Sequence, residues 1–164
     1  MSRTVRKAAL LAALLALPAA AAAQAPATPK PPEALYRDEC GACHMAYPTG
    51  FLPAASWRKI LGGLDDHFGQ NAELAPADRA KLETWLAGVA AESGTNRKSG
   101  RILRSIRGGE PPIRISEVPY VRRKHRELKA SVFARPSIGS RANCSACHPN
   151  AEAGSFHERR VPKN

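Results

Sequence analysis

Cys40-Gly41-Ala42-Cys43-His44 and Cys144-Ser145-Ala146-Cys147-His148 are two copies of one pattern, Cys-x-x-Cys-His, and together they use every cysteine in the chain. The pattern is that of covalent c-type haem attachment, so the sequence predicts a protein with two haem c groups. The spacing has a mechanical basis. On a helix, residues i and i+3 share a face, so both thiols of a copy meet the two vinyl groups along one haem edge. The histidine that follows then turns toward the iron. A lone Cys-x-x-Cys also fits a redox dithiol, half of a zinc site or a disulfide. A four-cysteine zinc module or two short disulfides therefore compete with the haem reading, but both leave His44 and His148 without a role.

The start of the chain bears on compartment. Residues 1–23 combine a basic opening (Arg3, Arg6, Lys7), an apolar run from Ala8 to Leu17 and the small residues Ala21-Ala22-Ala23 before Gln24. This reads as a cleaved secretory signal peptide, with an uncleaved anchor as the alternative. Nothing later is long or apolar enough to span a bilayer, so the expected location is the bacterial periplasm. Aromatic residues are only 5% of the chain, and an unassisted core would be thin. Two units of roughly 70 residues each fall in the size range where a covalent cofactor completes the core.

Working outward from the motifs, the fold class is mainly α, with two small haem-binding domains. After an Ala/Pro-rich leader (24–32) comes a cytochrome c-like first domain (33–95) of three short helices. Its first helix starts near Pro32 and carries Tyr36, Cys40 and Cys43 on one face. A second is capped by Ser56, with Trp57, Ile60, Leu61, Leu64 and Phe68 as an apolar stripe and His67 within it. A third runs from about Pro76 to Ala91 and buries Leu82, Trp85, Leu86 and Val89.

Residues 96–112 read as a basic connector with one helical turn around Ile102 to Ile106. The second domain (113–164) is irregular, with one or two short helices. Ile113-Arg114-Ile115 reads as extended. A helix capped by Ser116 runs to about Leu128 with Val118, Val121 and His125 on one face, and a short attachment helix starts at Ser140.

What fills the sixth iron position largely sets function. Met1 leaves with the signal peptide, and Met45 follows His44 directly, too close to reach the opposite haem face. The remaining ligand candidates are His67, His125 and His157, with Tyr36, Tyr47 and Tyr120 weaker. His67 belongs to the first unit by position. His125 lies on an apolar face, whereas His157 is nine residues past His148, enough chain at about 3.3 Å per residue to reach round the haem. Pattern alone leaves both open for the second haem, along with a vacant site. Bis-histidine ligation is favoured and implies lower potentials than His/Met ligation.

The formal charge of +11 becomes +8 without the three basic residues of the leader. Residues 24–96 carry −3, whereas residues 97–135 carry +9. An exported chain has little access to nucleic acid, so the arginines around Arg122-Arg123-Lys124 read as a solvated face near haem propionates, as a docking patch for an acidic redox partner, or as both.

Several segments together resemble a known family. They are Cys40-Gly41-Ala42-Cys43-His44-Met45-Ala46-Tyr47-Pro48, Ser56-Trp57, Asp66-His67-Phe68-Gly69, Arg123-Lys124-His125 and Asn143-Cys144-Ser145-Ala146-Cys147-His148. The chain resembles the periplasmic dihaem cytochromes c of proteobacteria over most of its mature length. The resemblance implies a two-domain, bis-histidine electron carrier, not an enzyme. It implies that His44 and His67 ligate the first haem, and His148 and His125 the second. It also implies partnership with a small oxygen-binding haem protein and a membrane cytochrome b. The functional alternative is a haem enzyme or gas sensor with one open iron, such as a peroxidase or small-molecule reductase.

The charge split predicts that a partner is steered to the second haem. Electron exchange with an acidic redox protein should slow by about tenfold or more between low and high salt, measured by stopped flow; a salt-independent rate would refute steering.

Overall fold

A computed structural model describes residues 29–94, 96–157 and 159–161. The leader proposed for residues 1–23 lies outside the described residues. Six helices and no strands occur among those described.

Helix α1 (Pro32–Cys40) starts where its two prolines preset the backbone, and it buries Leu35 and Tyr36. It ends inside the first motif because Gly41 N–H bonds back to Arg37 O at 3.1 Å. A Cβ on Gly41 would lie 2.2 Å from that oxygen, so this turn requires glycine. Cys43 and His44 therefore sit in a turn beyond the helix and do not continue it.

Helix α2 spans Ala54–Leu61. Ser56 is not its cap. It lies inside the first turn, fully buried, and its Oγ has no hydrogen-bond partner among the described residues. The exposed N–H of Ala54 is instead taken by the Glu92 carboxylate, at 3.0 and 3.2 Å, from a turn distant in sequence. The helix also stops earlier than its apolar stripe suggests. Gly62 and Gly63 close it, with Gly62 N–H on Arg58 O at 2.9 Å. A 3-10 turn at Leu64–Asp66 follows, leaving His67 beyond the helix. Phe68 is 40% exposed at φ 58°, not buried in the stripe.

Helix α3 (Pro76–Val89) buries Leu82 and Leu86, with Trp85 and Val89 against the same core, as its period predicts. Residues Ala91–Ser93 form a separate 3-10 turn.

The basic connector contains a full helix, α4 (Ser99–Ile106). It docks tightly: Ser99 Oγ–H donates to Gly50 O at 3.0 Å, and a Cβ on Gly50 would meet Ser99 Oγ and Asn96 Cβ at 2.7 Å. Ile102 is completely buried. It joins an apolar cluster that runs from Leu35, Trp57 and Leu82 to Ile115, Val118 and Tyr120, so residues of both expected units contribute to one core.

Three local expectations in the second half change. Ile115 is not extended but opens a 3-10 turn, Ile115–Glu117. The following helix, α5 (Pro119–Lys124), has Val118 and not Ser116 as its cap and ends before His125. The second attachment helix reduces to a 3-10 turn, Cys144–Ala146, capped by Asn143, whose side chain accepts the Ala146 N–H. A further short helix, α6 (Ala130–Phe133), carries no clear sequence signal. Beyond His148 the described chain is turns and irregular structure, as anticipated.

Ile102→Ala should cost about 2–5 kcal/mol, the usual range for a buried aliphatic truncation. Chemical unfolding followed through Trp57 and Trp85, which lie outside the connector, checks this; unchanged stability would show that α4 is not part of the core.

Candidate functional site

No disulfide joins the four motif cysteines. Burial is the main cause pushing the Cys40 thiol up to about 11, with Glu39 adding to it, and burial also raises Cys144 and Cys147. Attachment of a haem would add each thiol across a vinyl bond, sulfur to one carbon and hydrogen to the other, with nothing released.

Each motif histidine faces one other imidazole. His44 and His67 have ring centroids 6.4 Å apart with planes inclined by 30°. His125 and His148 are 6.1 Å apart and perpendicular, at 90°. Two imidazoles on opposite sides of one metal, at about 2.0 Å per metal–nitrogen bond and about 1.2 Å from nitrogen to ring centre, should have centroids about 6.4 Å apart. Both pairs match this span, so the residues fit an iron between each pair.

The hydrogen bonds fix which nitrogen is available. His44 Nδ1 lies 2.8 Å from Met45 O, and His125 Nδ1 lies 2.9 Å from Val121 O. A carbonyl oxygen only accepts, so each Nδ1 carries the proton and Nε2 keeps its lone pair for a metal. His125 gains this bond because α5 ends there, leaving the Val121 carbonyl within reach. Burial first, then His44 and Arg114, hold His67 below its ordinary imidazole value and favour the neutral, ligating form.

His157 is exposed and pairs with no other imidazole among the contacts found. Its neighbour Phe156 packs on His148 instead, at 5.4 Å. Met45 turns toward the second motif, its Sδ 3.6 Å from Ser145 Oγ. Among the described residues no group of three or more His, Cys, Asp or Glu side chains gathers as a zinc cluster would require.

One feature has no counterpart in the sequence reading. Three of the four imidazoles are backed by an aromatic ring that itself lies under a cation. His67 contacts Phe68, with Arg114 at 3.7 Å from that ring. His125 faces Phe133, with Arg141 at 4.2 Å. His148 contacts Phe156, with Lys98 at 5.1 Å. His44 instead stacks on Tyr47 at 4.8 Å. Arg114 and Lys98 come from segments distant from the rings they cover, and Arg141 from eight residues past Phe133, so no local pattern announces them.

The sequence profile described as "Dihaem cytochrome c" matches residues 36–156. A solved structure titled "Diheme cytochrome c from Rhodobacter sphaeroides" is similar at 43% identity and TM-score 0.67, covering 75% of this chain and 95% of that one. A second structure of a protein purified from Rhodobacter sphaeroides is 41% identical, with TM-score 0.61 and coverage of 75% and 96%. A dihaem cytochrome c from Shewanella baltica is 37% identical, with TM-score 0.65 and coverage of 81% and 95%. No curated protein matches the chain. The class is that of small helical c-type cytochromes. Within it, the chain belongs to the dihaem cytochrome c family and binds two covalently attached haem c groups.

Proposed function

We propose that this protein is a periplasmic electron carrier, not an enzyme, passing single electrons between redox proteins through two low-potential bis-histidine haems. His44 and His67 ligate the first haem, attached through Cys40 and Cys43. His148 and His125 ligate the second, attached through Cys144 and Cys147. The observation that carries the assignment is the pair of imidazole separations, 6.4 and 6.1 Å. When bound, each haem supplies a one-electron iron couple. The chain's own residues orient the imidazoles, hold Nδ1 protonated at His44 and His125, and pack aromatic rings against the ligands. Two imidazoles, with no thioether ligand, are the basis for low potentials.

The two-unit division, 33–95 and 113–164 about the 96–112 connector, is retained as an assignment of one haem to each half. The partner is a redox protein with an acidic docking face. Arg101, Arg104 and Arg123 line a cleft of about 260 Å³ between α4 and α5, and His125 follows α5 directly. That surface supports docking beside the second haem. A small oxygen-binding haem protein and a membrane cytochrome b are proposed from the family resemblance. Among the described residues no helix is long and apolar enough to cross a membrane. The export signal, read from residues 1–23, supports a periplasmic location.

Production with the c-type maturation machinery should yield two covalent haems per chain that bind no carbon monoxide when reduced. His67→Ala and His125→Ala should each open one iron to one carbon monoxide, whereas His157→Ala should leave the spectrum unchanged. Stoichiometric carbon monoxide binding by the undenatured wild type would instead favour an open-site enzyme or sensor.

A further inference from the structure

The two haem-attachment loops lie about a hundred positions apart in sequence yet touch at two points. The Tyr47 hydroxyl donates to Ala142 O at 2.7 Å, and Ser145 Oγ meets Met45 Sδ at 3.6 Å. Tyr47 follows His44 by three residues, and Ala142 precedes Cys144 by two. The contact therefore joins the first ligand's own turn to the second motif's entry.

Both ends of the link are anchored. The buried Tyr36 hydroxyl donates to Tyr47 O at 2.6 Å, tying the Tyr47 backbone to α1 and the core. The Tyr47 ring also stacks on His44, with centroids 4.8 Å apart. On the far side, Asn143 donates to Ile138 O at 2.9 Å and accepts from Ala146 N–H at 3.3 Å. Those two bonds brace Asn143, which lies between Ala142 and Cys144.

We infer that Tyr47 is a positioning residue for electron exchange between the two haems, a clip that holds the second attachment loop at a set distance and angle from His44. The inference rests on the proposed two-haem carrier. The rate of electron exchange falls steeply with separation, so a loop free to swing would make exchange between the stations slower and less uniform. Among the described residues, apart from the Met45–Ser145 contact, a soft bond to sulfur, no other side-chain hydrogen bond joins residues 44–48 to the second attachment loop.

The test uses the holoprotein and Tyr47→Phe, which deletes the hydroxyl while keeping a ring on His44. The wild type is examined first. Fewer than two haems, or carbon monoxide binding, would refute the carrier reading itself. In the variant both haems should remain low-spin and inert to carbon monoxide. The Soret circular-dichroism couplet, which reads the mutual orientation of the haems, should fall by about half or more as one geometry becomes an average over several. Electron exchange between the haems, followed after partial photoreduction, should slow in parallel.

Thr84→Val is the control, the loss of an exposed α3 hydroxyl that bonds Ala80 O in its own helix, and should leave both signals at wild-type values. Wild-type couplet and exchange in Tyr47→Phe would overturn the inference. So would an opened first iron, which would make Tyr47 a support of the His44 site and not of haem spacing. If Tyr47→Phe does not accumulate, Asn143→Ala removes the bracing that holds Ala142 against the second motif. A lower couplet there supports the clip, and an unchanged one overturns it.

Discussion

Two imidazoles that share an iron must meet at a separation set by metal–nitrogen bonds, and under the proposed ligation the rest of this fold answers to that constraint. Ordinary side-chain packing tolerates adjustments of an ångström or more, but a coordination span does not. In each pair the partners arrive from different segments. His44 leaves the end of α1, while His67 comes off a tight turn beyond α2. His125 closes α5, while His148 follows a 3-10 turn. The shared apolar cluster is what brings these segment ends together.

The two sites are not copies. The first pair has ring planes inclined by 30° and the second by 90°. Relative ligand orientation alters how iron orbitals are split, so equal ligand sets need not give equal potentials. Surroundings differ as well. His148 and His125 lie beside the strongly basic half of the chain, with Lys98 and Arg141 over their neighbouring aromatic rings. Exposed charges of this kind steer partners more than they stabilise the fold.

Local signals were legible where they were complete. Proline starts placed the beginnings of α1 and α3, and a clean 3.6-residue period placed the end of α3 within two residues, since intrinsic preference and burial agree there, whereas α1 stops at Cys40, short of Cys43. Helix α2 was misread at both ends. Ser56 looks like a cap, but Glu92 caps the helix from another turn, and the stripe continues in sequence past Gly62-Gly63 although the backbone does not. His67 was identified as a ligand candidate through an apolar face that it does not occupy. The turn at Asp66 to Gly69, with Asp66 Oδ1 accepting Gly69 N–H at 2.8 Å, places it instead. The connector looked open because its arginines dominate its composition, yet α4 directs Ile102 inward.

By itself the sequence determined the chemistry: two covalent attachment motifs, a shortage of methionine and a small set of histidines. These are matters of residue type and short spacing, which the primary structure holds in full. Only the tertiary structure decided which histidines face one another, at what angle, and how near the two attachment loops lie. Those depend on long-range contacts, Glu92 on Ala54, Ser99 on Gly50 and Tyr47 on Ala142, whose partners lie tens of residues apart and leave no periodic trace.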